Sequence, residues 1–456
     1  LINIDFDKIG KFSKAGPRYT SYPTAVEFNE NDEVKKAYLE EMKNSKSPIS
    51  LYFHLPFCRS ACYFCGCNVV YTSKSEKRLR YIDYLKMEMD ILSKYLDTSR
   101  EVTQLHFGGG TPTFFTAEEL KEIIGYINHH FKNFSKDAEI SCEVDPRYLN
   151  EDQIRVLTEN GFNRISFGVQ DFDQKVQEAV HRVQPLEIVE NSVELSRKYG
   201  INSINIDLIY GLPFQTLETF KDTLQKSISL NPDRFAIFNY AHVPWLMKTM
   251  RKIDEHTLPE PSEKLKIFKY TIDFLTSHGY KMIGMDHFAK ENDELFKAIE
   301  KGELSRNFQG YTTKGGTQLI GIGLTSIGNG SGYYIQNLKE MRDYEASLER
   351  GELPIFRGVK LSEDDKIRKD VIMELMSNFS LNIARFNKRH SVDFHQYFKD
   401  ELPNLQPFID EQLLFITHDK IYLSFTGTMI IRNIAMVFDG YMKSHSTSKK
   451  VFSKTI

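Results

Sequence analysis

The chain has little charge of either sign to spare. Its 59 Lys and Arg stand against 62 Asp and Glu, a formal balance of −3 at pH 7. That near-neutrality offers no electrostatic footing for a nucleic acid or a membrane surface, so neither is expected as a partner. No apolar stretch approaches the length of a membrane span, and the first residues lack the basic-then-apolar layout of a secretory signal. Membrane insertion is therefore not expected, and a cytoplasmic location is. A short basic stretch, KSHSTSKK at 443–450, reads as solvated fraying rather than a binding patch. Cysteine is scarce, with five residues in all, and reduced thiols suit that compartment because a secreted protein would pair them as disulfides. At 456 residues the chain is too long for one ordinary core, which leads us to expect a large domain and a smaller one.

The cysteines are concentrated in one place. Cys58, Cys62, Cys65 and Cys67 fall in the run FCRSACYFCGCN, the first three with the spacing C-x3-C-x2-C. Thiolates this close in sequence bind a soft metal or an iron–sulfur cluster. A structural zinc site closes with four ligands in two separated pairs, whereas three ligands suit a [4Fe–4S] cluster with one iron left open. Cys67 stays open between a spare thiol, an alternative ligand and a participant near the cofactors. Cys142, on an alternating strand, reads as a small buried residue. The spacing, following the apolar run SLYFHLPFC, resembles the signature of the radical S-adenosylmethionine superfamily. There the open iron binds the amino and carboxylate groups of the cosubstrate.

Apolar β-type runs alternate with amphipathic helical stretches along the chain. ISLYFHL at 49–55 precedes a charged helix near 75–97, TQLHF at 103–107 a helix near 117–132, and AEISCEV at 138–144 a helix near 150–160. RISFGVQ at 164–170, INIDLIYG at 204–211 and RFAIFNY at 234–240 continue the series. Such a succession means a parallel sheet with right-handed crossovers. The expected fold is α/β, a partial or full TIM-type (β/α) barrel. In such a barrel the site lies at the C-terminal strand ends. The cysteine run follows the first strand, Gly108, Gly109, Gly110 and Thr111 the second, and Glu143 ends the third. Gln170 ends the fourth, Asp207 lies near the end of the fifth, and Tyr240 with Ala241 follows the sixth. Taken singly these have ordinary explanations: a glycine turn, helix-capping carboxylates, and a surface arginine at Arg182. Together they fall on one rim, which favours one composite site. Carboxylates there suit an amino group or ribose hydroxyls, and glycines permit close backbone approach to a cosubstrate.

After about residue 360 the alternation stops. SEDDKIRKDVIMELMSN starts with an N-cap and a helical pattern, LLFITHDKIYLS reads as a hairpin turning at His418 and Asp419, and a helix is expected around RNIAMVFDGY. The expected division is an N-terminal arm at 1–35, a barrel at 36–360 and a mostly helical domain at 361–456, acting as a lid. The outline also admits a winged-helix reading, which the charge balance disfavours. The arm's GPRYTSYP, with its two prolines, suits neither a regular helix nor a central strand. We expect it across the barrel mouth, with Arg18 placed to meet a carboxylate.

GPRYTSYPTA at 16–25, FCRSACYFCGCN at 57–68, GGGTPT at 108–113 and RNIAMVFD at 432–439 closely resemble the oxygen-independent coproporphyrinogen III oxidase (dehydrogenase) family of the radical S-adenosylmethionine superfamily. The resemblance covers nearly the whole chain. It implies Cys58, Cys62 and Cys65 as ligands of a [4Fe–4S] cluster, and two S-adenosylmethionine molecules. It implies Tyr52, Gly109, Glu143 and Ile327 around the first molecule, and Phe64, Gly110, Thr111, Gln170, Arg182, Asp207 and Ala241 around the second, with Phe308 and Gln309 as neighbours. It implies decarboxylation of two propionates of coproporphyrinogen III to vinyl groups, a reduced flavodoxin or ferredoxin-type electron donor, an unidentified electron acceptor and a monomer. In the family's C-terminal motif a cysteine stands where this chain has Ala435, so that thiol's role is absent. The rival readings are a haem chaperone of the same superfamily, a radical enzyme acting on haem, and a zinc-stabilised interaction protein.

Overall fold

The computed structural model describes residues 5–12 and 14–442; the KSHSTSKK stretch lies outside the described residues. Six strands run parallel in chain order: β1 (Ile49–Leu55), β2 (Val102–Gly109), β3 (Phe134–Val144), β4 (Arg164–Gln170), β5 (Ser203–Tyr210) and β6 (Arg234–Asn239). β7 (Tyr280–Met282) and β8 (His287–Lys290) follow, β8 pairing antiparallel with both β6 and β7. On the other flank β9 (Gln318–Ile322) lies parallel to β1, and β10 (Ile327–Asn329), β11 (Tyr333–Asn337) and β12 (Ile355–Lys360) continue antiparallel. The sheet order is β12-β11-β10-β9-β1-β2-β3-β4-β5-β6-β8-β7. β12 and β7 are not paired with each other, so the barrel is the partial form of the two expected.

Local chemistry explains the alternation. Along β5 burial switches residue by residue: Ile204, Ile206, Leu208 and Tyr210 are buried, while Asn205 and Asp207 are partly exposed. Helices over the outer face are delimited by reciprocal caps, Thr116 with Glu119 before Ala117–His130 and Asn150 with Gln153 before Glu151–Glu159. The helix expected near 75–97 ends at Leu92, after which turns carry Leu96 back into the core. The open side of the barrel is crossed by a short hairpin, Ser305–Asn307 with Gly310–Thr312. Thr312 Oγ1 there accepts a hydrogen bond from Gln104 Nε2 at 2.9 Å.

Beyond Lys360, Ser362 caps the helix Glu363–Asn378 reciprocally with Asp365. Leu414–Ile416 and Lys420–Leu423 form the expected hairpin, and Ser380–Asn382 adds a third strand. The expected helix around RNIAMVFDGY is reduced to Ile431–Ala435 and one 3-10 turn, Met436–Phe438. Within the arm, GPRYTSYP is irregular, follows a helix at Phe6–Phe12 and is tied to these last described residues. Tyr19 donates to Asp439 Oδ2 at 2.8 Å, Gly440 N–H donates to Tyr22 Oη at 3.0 Å, and Arg432 holds the carbonyls of Gly16 and Pro17.

One buried carboxylate locks the barrel's flank. Glu88 accepts hydrogen bonds from Tyr344 Oη at 2.5 Å, Gly323 N–H at 2.8 Å and Asn337 Nδ2 at 2.7 Å. Burial pushes its carboxyl up to about 7, the three hydrogen bonds opposing the shift only in part. The folded chain therefore holds a proton that the unfolded chain, with the ordinary value of 4.5, releases. This contribution to stability is complete below pH 4.5 and is lost as pH rises through about 7. Glu88→Gln is expected to flatten the dependence of Tm on pH across that window by the equivalent of about 3 kcal/mol. Thermal melts at closely spaced pH values check this, and an unchanged slope would clear Glu88 of responsibility.

Candidate active site

The cysteine loop leaves the end of β1 and is pinched where Phe57–Cys58 pairs with Val70–Tyr71. Its entry is fastened to the glycine run of β2: Gly110 N–H donates to Leu55 O at 2.9 Å and Thr111 N–H to Phe57 O at 3.0 Å. A β-carbon on Gly110 would lie 2.6 Å from Phe57 O and 2.7 Å from Pro56 C. Gly109 has φ +111°, and a β-carbon there would meet the His54 ring at 2.7 Å. The close approach made possible by these glycines is thus first of all to the protein's own backbone and to His54.

A cavity of about 240 Å³ opens at the strand ends, lined by Cys58, Cys62, Cys65 and Cys67. Phe64, Gly109, Gly110 and Thr111 share its wall, as do Glu143, Gln170, Arg182 and Asp207. Tyr52, Ala241 and Ile327 stand outside it. Tyr52 is a layer behind, stacked on His106 at 5.8 Å and hydrogen-bonded to His54 Nδ1 at 3.0 Å. Ile327, on β10, packs against a cluster of Phe28, Tyr334 and Leu361, as does Phe308. Ala241 follows β6. Gln309 lines a second cavity of about 210 Å³ inside the barrel, which meets the first at Glu143, Ser166 and Asp207. A larger cavity, about 930 Å³, touches none of the cysteines and lies by the starts of β1 and β9; the thiols and rim carboxylates mark the smaller one as the chemical site.

Charge in this cavity is arranged around Cys62 and Glu143. Arg182 is buried, its Nη1 3.0 Å from Asp145 Oδ2 and 3.5 Å from Cys62 Sγ, its Nη2 donating to Gly168 O. Arg147 Nη2 lies 2.7 Å from Asp145 Oδ2 and 3.9 Å from Cys62 Sγ. Burial pushes the Asp145 carboxyl up, but Arg182 and Arg147 outweigh it and hold the group below its usual range. Asp145 and Arg147 escaped the reading of the sequence, although their place just past the end of β3 was the available signal.

Burial, with the charges of Cys65 and Cys62 adding, pushes the Cys58 thiol up to about 12. Cys65 is lowered to about 7, chiefly by its hydrogen bond with Cys67. Burial likewise acts against the Glu143 charge, yet hydrogen bonds from His106 and from Gly109 N–H, at 3.4 and 3.3 Å, win and keep its carboxyl low. Asp207 goes the other way: burial and the nearby Glu143 charge raise it to about 6, against hydrogen bonds from Ser166 and Asn205. The rim thus offers one firm anion beside one carboxyl that titrates near neutrality. Gln170 is held at φ +69°, a left-handed conformation that costs a non-glycine residue about 1 kcal/mol or more and is characteristic of functional sites.

Three thiols that share a wall without converging fit a cluster, which spreads its cysteine ligands over different irons. Among the described residues no three Cys, His, Asp or Glu side chains are grouped to share a single metal ion. Two guanidiniums face the Cys62 sulfur.

Comparison with known proteins agrees with this geometry. The model of the radical SAM superfamily matches residues 52–226, and that of the HemN C-terminal domain matches residues 361–430. An oxygen-independent coproporphyrinogen III oxidase of Helicobacter pylori is 55% identical over 458 residues, 99% of each chain. That of Escherichia coli is 43% identical over 456 residues, covering 100% of this chain and 99% of its own. The solved structure of coproporphyrinogen III oxidase (HemN) from Escherichia coli, described as a radical SAM enzyme, superposes with a TM-score of 0.92 at 43% identity over 96% of this chain and 99% of that one. From the arm to the last described helix, then, this chain belongs to the oxygen-independent coproporphyrinogen III oxidase family of radical SAM enzymes.

Proposed function

We propose that this protein is an oxidoreductase that converts two propionate side chains of coproporphyrinogen III to vinyl groups, giving protoporphyrinogen IX. Each conversion is the loss of a hydrogen atom, carbon dioxide and one electron. The observation that carries the reading is that four thiols and the differently tuned Glu143 and Asp207 open onto one cavity, in a chain that matches oxidases of that name over 99% of its length.

Membership of the family brings a [4Fe–4S] cluster and S-adenosylmethionine. Cys58, Cys62 and Cys65 would hold the cluster. When bound, it supplies the electron that cleaves S-adenosylmethionine to the hydrogen-abstracting radical. Glu143, kept ionised by His106 and Gly109 N–H, binds the ammonium group of the cosubstrate. Gly109 presents backbone to it, with Tyr52 and Ile327 completing its surroundings. Asp207 accepts hydroxyl protons of a ribose. A second S-adenosylmethionine belongs beside Phe64, Gly110, Thr111, Gln170, Arg182, Asp207 and Ala241, of which all but Ala241 line the cysteine cavity. The arm at 1–35 and the domain at 361–456 cover the barrel at 36–360 and keep water from the reactive carbon. The protein works as a cytoplasmic monomer supplied by a reduced flavodoxin or ferredoxin-type carrier.

The test is anaerobic turnover of the cluster-loaded protein with reductant, an electron acceptor, S-adenosylmethionine and coproporphyrinogen III. Protoporphyrin and 5′-deoxyadenosine are expected together. Deoxyadenosine without protoporphyrin would refute the substrate, and haem binding with neither product would transfer the protein to the chaperones.

A further inference from the structure

Where the arm, the end of β6, the start of β8 and the crossing hairpin meet, three guanidiniums gather around one carboxylate. Arg18 Nη2 donates to the carbonyl of Asn239, the last residue of β6, at 3.4 Å. Asp286 precedes β8 and is bonded at 2.7 Å to Nδ1 of His287, whose ring lines the barrel cavity. Burial pushes the Asp286 carboxyl up, but His287, Arg306 and Arg18 outweigh it and hold it far below the usual range. Arg432 is buried behind the arm, and burial, followed by the charges of Arg18 and Arg306, brings it down to about 9. The Tyr311 ring beneath Arg306 packs edge-on against His287 at 5.1 Å, which brings the hairpin's guanidinium beside Asp286.

Their balance is two positive charges in excess. Arg432 is occupied in fastening Gly16 and Pro17. Arg306 is different. Its guanidinium lies 4.7 Å over the Tyr311 ring, and its Nε and Nη1 have no hydrogen-bond partner among the described residues. Neither Arg306 nor Arg18 has a carboxylate within 4.0 Å among the described residues. Arg306, with two buried nitrogens and no anion, is unfavourable unless a ligand brings the missing charge, whereas Arg18 is exposed and open to the same ligand. The same hairpin places Asn307 and Gln309 on the barrel cavity, which joins the cysteine-lined one. Arg306 itself lines the cavity of about 930 Å³, which shares Asn307 and Thr312 with the barrel cavity, so a molecule with several acid arms can keep one arm at Arg306 while another enters the barrel.

We propose that Arg306 and Arg18, with the added positive potential of Arg432, form a carboxylate-binding point at the barrel mouth that holds a non-reacting propionate of the tetra-acid substrate. The assignment rests on the substrate class proposed above. With four acid arms and two conversions, a spare propionate is present in each round, so one grip serves both. The hydrogen bonds it makes are charge-assisted and bidentate in kind, which a planar guanidinium provides and an ammonium does not.

The measurement is the affinity of the cluster-loaded protein, under anaerobic conditions, for coproporphyrin III and for its tetramethyl ester, read by porphyrin fluorescence. Wild type is expected to prefer the tetra-acid. Arg306→Gln should weaken tetra-acid binding by about tenfold or more and leave the ester unaffected, with Arg306→Lys recovering part of the loss. Arg18→Ala, at an exposed position, should act in the same direction and serves if Arg306→Gln lowers the melting temperature. Wild-type affinity for the tetra-acid in both variants, or an equal loss for acid and ester, would overturn the carboxylate grip. A wild-type protein that cleaves S-adenosylmethionine but binds neither porphyrin would instead overturn the substrate reading itself.

Discussion

Gly110→Ala should empty the iron–sulfur site while leaving all four thiols of the loop in place. The added methyl would sit 2.6 Å from Phe57 O, 2.7 Å from Pro56 C and 2.8 Å from Phe57 N. All three are backbone atoms, so no side chain can swing aside. The loop's entry must move, and with it the hydrogen bonds from Gly110 to Leu55 and from Thr111 to Phe57. Overpacking of this kind costs about 1–3 kcal/mol in stability. The larger consequence is for ligation, because Cys58 follows Phe57 directly and its sulfur moves with the backbone. Iron per chain and visible absorbance after anaerobic reconstitution are expected to fall several-fold. Gly66→Ala is the matching control: it lies between two cysteines, yet nothing lies within 4 Å of the position its β-carbon would take. Its iron content should match wild type. Full iron loading of Gly110→Ala would show that the contact between β2 and the loop does not position the thiols.

The second large effect is expected from Arg182→Gln. The side chain bridges Asp145, the sulfur of Cys62 and the carbonyl of Gly168. Removing it leaves a buried carboxylate with one guanidinium, that of Arg147, where there were two. Breaking a buried pair costs about 3–5 kcal/mol when nothing replaces it, and with Arg147 retained we expect about 2 kcal/mol. The melting temperature of the cluster-free protein should drop accordingly. Cluster assembly should slow as well, since the Cys62 sulfur loses the nearer of the two guanidiniums that hold it in place. Arg182→Lys keeps the charge but cannot make the three contacts at once, and should fall between the two. A melting temperature and a reconstitution rate both equal to wild type would remove Arg182 from this role.

How much could be read in advance follows from how local the cause is. β1, β4 and the cysteine loop were legible because hydrophobic alternation and ligand spacing act over a few residues. The rim carboxylates were legible because a parallel barrel dictates which strand ends face the site. The ring of Asp145, Arg147 and Arg182 was not, since Arg182 reaches Asp145 across 37 positions from a loop whose direction no local pattern encodes. The same holds for the hairpin across the open side of the barrel and for Tyr52, Ala241 and Ile327. Whether these three stand in the cavity wall or behind it depends on packing between distant segments. The helix around Arg432 is shorter than its apolar pattern implied because its residues are spent on the arm. Arg432 itself turns away from solvent to hold Gly16 and Pro17.

That fastening has a bearing on the order of manufacture. Tyr19 and Asp439 are 420 positions apart, so this fastening of the arm waits until the segment carrying Asp439 has been made. Segments leaving a ribosome fold roughly in order, and contacts of the longest range close last. The barrel and its cysteine loop are consequently complete while the mouth above them is still uncovered. Iron and sulfide have an interval of free entry, which ends once Tyr19 meets Asp439. A chain cut short before Asp439 would retain the pocket but never acquire its cover, and would leave any radical made inside it open to the solvent.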